Sequence, residues 1–454
     1  MIDEVEKLEV DAVDFQVACR RYTIHATITR DRQMPVVDEF VLRLLAILDR
    51  VPSARLRSWF GFSNAEMETV LVDIARRGHV AFEGEDIVLS AAGRELFKFS
   101  GADDVPRVVE VAPLIADVWF DLVGRGMVPR SPARPGDYLV KLQEIPGARE
   151  LPEAFAREAF EQNFRDYVRR IRRLPDADAV NLYSISNVEG GGYGYQVVEA
   201  GLALDMDRLT VRPTFGEAAE NSAGFHRLAI AAGDAWQYAS APELSSASGA
   251  EFERWTGDDR LAAVLTQPDN IDFWTAALVR TERAGSGFVP TLGATYLRRN
   301  MQLFIALVHA AGPAVPDREI VWARPGGTAW GRTAKISGAL TELRNSLSKS
   351  EGPDVETTLL VTRSTPKPHR TAHKRFFTRG RLAPQGHLPP NIEILLVPDV
   401  AAMINVHVKV GRHAVPIGGL VTDKKRLGRI GEKLRPARRE GWEDIWQAAR
   451  RETD

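Results

Sequence analysis

Gly61–Ser90 reads GFSNAEMETVLVDIARRGHVAFEGEDIVLS. Gly61-Phe62-Ser63 is a turn. Ser63 with Glu66 three residues on is a capping box, in which hydroxyl and carboxylate satisfy each other's free backbone N–H groups. A helix is therefore predicted over Asn64–Arg77. Two short strands follow, His79–Phe82 and Asp86–Leu89, joined by Glu83-Gly84-Glu85. Upstream, the spacing of Phe40, Leu42, Leu44, Leu45 and Leu48 predicts a helix over Asp38–Arg50. Ser53 is read as the cap of a short helix through Trp59. Downstream, Ser90-Ala91-Ala92-Gly93-Arg94-Glu95-Leu96-Phe97 starts another helix.

Helix, helix, turn, helix, hairpin, helix resembles the winged helix-turn-helix domains of bacterial proteins. The step Leu89-Ser90-Ala91-Ala92-Gly93 is similar to the strand-to-helix step after the wing in many of them. The resemblance implies a domain over residues 1–104. In such domains the third helix and the wing meet DNA. Here those surfaces carry Glu66, Glu68, Glu83, Glu85 and Asp86, which repel phosphate. The residues favour protein docking or dimerisation over DNA reading, with a winged-helix transcription regulator as one alternative.

Residues 105–315 read as a mixed α+β middle domain. Phe160, Phe164, Tyr167 and Ile171 line one face of a helix over Glu153–Arg173. Val180–Ser186, Tyr195–Leu204 and Leu209–Pro213 are predicted strands, the first two joined by a hairpin turn at Glu189–Gly194. Ser240–Gly249 reads as a linker, and helices are predicted at Asp272–Glu282 and Ala294–Ala311.

Residues 316–454 alternate as an α/β sheet domain. The strands are Glu319–Ala323, Thr357–Thr362, Ile392–Val397 and Val406–Val410. Helices are predicted over Arg332–Ser348 and Lys433–Arg451. From Thr357 to Ile392 there is no Asp or Glu, yet Arg363, Lys367, Arg370, Lys374, Arg375, Arg379 and Arg381 fall there, with His369, His373 and His387. From Thr357 to the C-terminus 19 Lys and Arg face 9 Asp and Glu, although the whole chain carries −2. Such a lobe suits a polyanion, because Lys and Arg gain affinity by displacing counterions condensed on phosphates. Phe376 and Phe377 are candidates to stack on exposed bases.

Three constellations bear on chemistry. Val406-His407-Val408-Lys409-Val410 resembles the His-x-Lys strand of the phospholipase D-like superfamily, with Ile417-Gly418-Gly419 similar to its glycine step and Leu395-Leu396-Val397-Pro398 to the strand before. The resemblance implies His407 as nucleophile and Lys409 as the cation on the phosphate oxygens. Ala414 stands at the Asp position, Gly419 at the Ser and Val421 at the Asn. The resemblance therefore implies a degenerate phospholipase D-like fold, with a divergent phosphodiesterase or nuclease as the alternative. Gly326-Gly327-Thr328-Ala329-Trp330-Gly331-Arg332-Thr333 has the spacing of a phosphate-binding P-loop, with Arg332 in place of Lys. His369 and His373 have the spacing of a metal pair, but Pro366 and Pro368 favour a loop, and no metal is expected.

The chain has 454 residues, 44% apolar and 26% charged, as in an ordinary globular protein of several domains. Cys19 is the only cysteine, which excludes an internal disulfide and a Cys-based zinc site. The acidic N-terminus lacks a signal-peptide pattern, and no apolar run is long enough to span a bilayer, so a cytoplasmic location is expected. The sequence thus reads as an α+β multidomain protein. The expected role is a nucleic-acid-binding, non-catalytic subunit of a bacterial multiprotein system, without cofactor. Expected partners are DNA, other subunits and a second copy in a homodimer. At the level of architecture it resembles accessory proteins of antiphage and DNA-processing systems.

Overall fold

The computed structural model describes residues 8–32, 34–98, 106, 108–128, 136–150, 152–174, 177–205, 207–221, 224–236, 246–258, 260–270, 272–274, 287–311, 319–348, 355–410, 413–434 and 441–447. The chain is α+β, with helices and several sheets. It divides into two compact units. The smaller comprises Arg20–Phe120 and Arg149–Gly192, and the larger comprises Met1–Cys19, Asp121–Ala148 and Tyr193–Asp454.

In chain order, β1 (Leu8–Arg32) leads to α1 (Val36–Leu48), β2 (Arg50–Pro52), α2 (Ser53–Phe60) and α3 (Asn64–Arg76). Next come β3 (Val80–Glu83), β4 (Asp86–Leu89), α4 (Ala91–Glu95), β5 (Val108–Asp121) and β6 (Val140–Lys141). Then α5 (Pro152–Asp166) widens into a π-helical turn, Tyr167–Arg172, before β7 (Val180–Asp205). β1, β5 and β7 are neighbours in the order β5-β1-β7, with β8 (Thr210–Phe215) after β7.

Residues 34–97 of the smaller unit have a core of their own. Val41, Leu42 and Leu45 of α1 meet Leu56 of α2, Met67, Leu71 and Ile74 of α3, and Val51, Val80, Ile87 and Leu89 of a three-stranded β2-β4-β3 sheet. Ser63 caps α3 with the reciprocal Glu66 bonds that the capping box predicts. These bonds hold the Glu66 carboxyl below its usual range. Two details differ from the sequence reading. α2 is capped by Pro52, not Ser53, and Phe40 and Leu48 of α1 are exposed. Ser90 caps α4, its Oγ accepting from Gly93 N at 2.9 Å and donating to Gly78 O at 2.5 Å. A Cβ on Gly93 would stand 2.0 Å from His79 O, so this close step requires glycine.

β7 corrects the predicted hairpin at Glu189–Gly194, because the segment runs as one strand through its glycines. A Cβ on Gly190 would lie 2.4 Å from Arg20 Nη2, and one on Gly191 would lie 3.1 Å from Arg21 Cβ. The run admits the arginines of the neighbouring strand rather than making a turn.

The larger unit continues through β8, α6 (Glu217–Glu220), α7 (Phe225–Trp236), α8 (Ser246–Thr256), α9 (Arg260–Thr266) and β9 (Phe288–Leu292). After these come α10 (Arg298–Ala311), β10 (Glu319–Ala323), α11 (Lys335–Leu347), β11 (Glu356–Val361) and β12 (Arg379–Leu382). The last elements are β13 (Ile392–Val397), β14 (Ala401–Val410), β15 (His413–Val421), α12 (Lys424–Leu434) and β16 (Glu443–Gln447). Eight strands form one sheet, β16-β12-β11-β10-β13-β14-β15-β9, parallel across β10, β11 and β12 and antiparallel elsewhere. Its inner strands are buried on both faces, as helices on both sides require. One face packs Ile394, Leu396, Ile404 and Val406 with α7, α8 and α12. The other packs Trp322, Leu395 and Met403 with α10 and α11.

Two further expectations are corrected, and a third lies mostly outside the described residues. From Ser246 the expected linker is helical, although 240–245 lies outside the described residues. Of the helix expected at 272–282 only 272–274 is described. The helix expected over Lys433–Arg451 is not one element, since α12 ends at Leu434 and Glu443–Gln447 is a strand pairing antiparallel with β12.

Candidate functional site

The candidate catalytic pair lies in the middle of the sheet. β13 is apolar except for Glu393, which is fully buried. A buried carboxylate is tolerated only when hydrogen-bonded or paired. Glu393 Oε1 accepts from Trp322 Nε1 at 2.9 Å, and Oε2 lies 3.0 Å from His407 Nε2. The His407 ring is buried, and its main-chain N–H donates to Asn391 O at 2.9 Å. Lys409, two residues on, is exposed. Gly418 and Gly419 sit inside β15, paired with Asn405 and Ile404, so they form a ladder and not the turn of a glycine step. On the same face, Tyr296 Oη donates to Asp11 Oδ1 at 2.5 Å. Burial raises the Asp11 carboxyl to about 6.

The P-loop-like segment is filled by the protein's own groups. Asp14 of β1 takes the place an anion would occupy at the start of α11. Its Oδ2 accepts from Ala334 N at 2.7 Å and its Oδ1 from Thr333 Oγ1 at 3.0 Å. That places a carboxylate of the protein itself on one backbone N–H at the positive end of the helix, while Thr333 Oγ1 accepts from Lys335 N at 3.2 Å. Trp330 is buried, with the Arg324 guanidinium 5.0 Å over its ring. Arg324 donates to the carbonyls of Pro325, Gly327 and His369, and burial lowers it to about 9. His373 Nε2 lies 2.8 Å from Gly331 O, and burial lowers the ring to about 3. Burial also lowers His369, to about 4. Among the described residues no cluster of His, Cys, Asp and Glu has the arrangement of a metal site.

The seven cations of the acid-free stretch separate into two groups. Arg363 is paired with Glu443. Arg379 makes two bonds to Asp444, at 3.1 and 3.0 Å. Arg381 Nε lies 3.0 Å from Asp444 Oδ1, off the hydrogen-bonding direction, with its guanidinium over Trp442. Arg370 donates to the carbonyls of Thr365 and Arg363. Lys367, Lys374 and Arg375 are exposed, with no acidic partner among the described residues. Counting along the sequence missed β16, whose Glu443 and Asp444 are brought beside β12 by strand pairing. Phe377 is buried against Trp322, and Phe376 packs on Tyr138 at 5.3 Å, so neither ring is open to a base.

A basic element that the sequence reading missed is α12, KKRLGRIGEKL. Leu427, Ile430 and Leu434 are buried, while Lys424, Lys425, Gly428, Arg429 and Glu432 are exposed. Arg426 is used internally, donating to Thr256 O at 2.7 Å. Asp423 stands just before the helix, and its Oδ1 accepts from Arg426 N at 2.9 Å, so a carboxylate caps the positive end beside Lys424 and Lys425. The signal was the period of Leu427, Ile430 and Leu434 between the charges.

No family model matches the chain, and no curated protein does. Among solved structures, the archaeal chromatin protein TrmBL2, described with a novel mode of DNA binding, is similar over 44% of this chain and 73% of its own. Identity is 11% and the TM-score 0.20. At that score the likeness establishes neither a shared fold nor a shared function.

Proposed function

We propose that the chain is a nucleic-acid-binding, non-catalytic subunit of a multiprotein system, with antiviral defence or DNA processing as the setting. The observation that carries this is the set of exposed cations Lys367, Lys374, Arg375, Lys424, Lys425 and Arg429, which have no acidic partner among the described residues. Phosphates supply what these side chains lack, and displaced counterions supply the affinity. The exposed side of α12 supports the reading, because Lys424, Lys425 and Arg429 all stand open to solvent on one helix. The element order from α1 to α4 supports a winged helix, and Glu68, Glu83, Glu85 and Asp86 support its use for docking rather than DNA reading. A degenerate phospholipase D-like origin for the C-terminal sheet remains a proposal. The burial of the His407 ring, with Lys409 two residues on exposed, speaks against a working phosphodiesterase.

Two full-length variants test the reading. Lys424→Gln with Lys425→Gln and Arg429→Gln, or Lys367→Gln with Lys374→Gln and Arg375→Gln, should each weaken binding to unrelated duplexes alike, by about tenfold or more. Arg379→Gln with Arg381→Gln should change binding less, since Asp444 already holds both. Unchanged affinity in both triple variants would remove the proposal.

A further inference from the structure

α1 has two opposed faces. Asp38, Val41, Leu42 and Leu45 are buried. On the other side Val36 is 66% exposed, Phe40 49% and Ile47 76%. Arg43 completes this line, with Nη1 3.1 Å from Glu39 Oε1. At 3.6 residues per turn, Val36, Phe40, Arg43 and Ile47 fall within about 60° of one another. Their spacing of four, three and four is that of a seam between two helices. Three large apolar side chains aligned in solvent mark an interaction surface.

We propose that this stripe is the interface between two copies of the chain, with α1 packed antiparallel on α1 about a twofold axis. The stripe is its own complement. An antiparallel alignment that sets Val36 opposite Ile47 also sets Phe40 opposite Arg43, so each guanidinium lies against the partner copy's phenyl ring. Glu39, one position before Phe40, then reaches the other copy's Arg43, and the pair made within one helix is exchanged across the axis. Each copy brings one Arg43 and one Glu39, so no net charge is buried. A twofold contact needs this self-complementarity, whereas a foreign partner would have to supply the matching groups itself. The inference is independent of the nucleic-acid reading, because its residues lie in the smaller unit and none of them is among the proposed phosphate contacts.

Sedimentation of the full-length chain up to about 100 µM tests it, a range suited to a small interface. The unchanged protein should sediment as a dimer. Val36→Glu alone and Ile47→Lys alone should each weaken association at least about tenfold. Mixing the two variants should restore dimers, because Glu then faces Lys across the axis. All these positions are exposed, and unchanged helical circular dichroism confirms folding. A monomer throughout overturns the proposal. So does a dimer indifferent to both substitutions. A mixture that stays monomeric overturns the antiparallel register, and with it the proposal.

Discussion

Replacing His407 with alanine is expected to lower the stability of the chain by about 1–3 kcal/mol, the usual cost of leaving a buried polar group without its hydrogen-bond partner. Glu393 would keep Trp322 Nε1 but lose the group 3.0 Å from Oε2. Lys409→Ala, at an exposed position, should stay within about 0.5 kcal/mol of the parent. His407→Gln, which keeps a donor, should fall between. Urea unfolding of the three variants makes the comparison. If His407→Ala unfolds at the parent's midpoint, the ring is not holding Glu393, and the nucleophile reading regains its ground.

Asp11→Asn is expected to change the pH dependence of stability. The folded protein binds the Asp11 proton up to about 6 because the carboxyl is buried, against about 3.9 in an unfolded chain. Below about pH 4 both states carry the proton. Between about 4 and 6 the folded state holds it more tightly, so stability falls as pH rises, by about 3 kcal/mol in all, and stays down above that range. An amide keeps the oxygen that accepts from Tyr296 Oη and Ala12 N and does not titrate. The stability of Asp11→Asn relative to the parent should therefore rise from pH 4 to 6.5 and then level off. Other carboxylates cancel in the difference. A difference that is flat with pH would show that Asp11 ionises as freely folded as unfolded.

Local signals were legible in the sequence, and distant pairings were not. The capping box, the hairpin after α3 and the strand Ile392–Val397 were all readable, because each depends on residues within a few positions. β1 was not, because Asp11 and Asp14 break its apolar run, and their partners Tyr296 and Thr333 lie far along the chain. The triple glycine was misread for the same reason, since Arg20 and Arg21 approach it from another strand. His407 matched a motif by spacing, while Glu393, which lies 3.0 Å from its ring, is 14 positions away and on another strand. For the proposed phosphate contacts, a run of like charge was visible, but the pairing of β16 with β12 neutralises part of it. Its compensation, the face of α12, was hidden in a segment read partly as a different helix.

The salt dependence of nucleic-acid binding by the full-length chain tests the central claim most directly. Fluorescence anisotropy with labelled duplexes of unrelated sequence, across about 50–200 mM salt, gives the slope of log affinity against log salt. Contacts from about four to six of the exposed cations correspond to a slope of about −4 to −5, similar for every sequence. Binding that is absent at the lowest salt, or indifferent to salt, would contradict the assignment of these cations to phosphate.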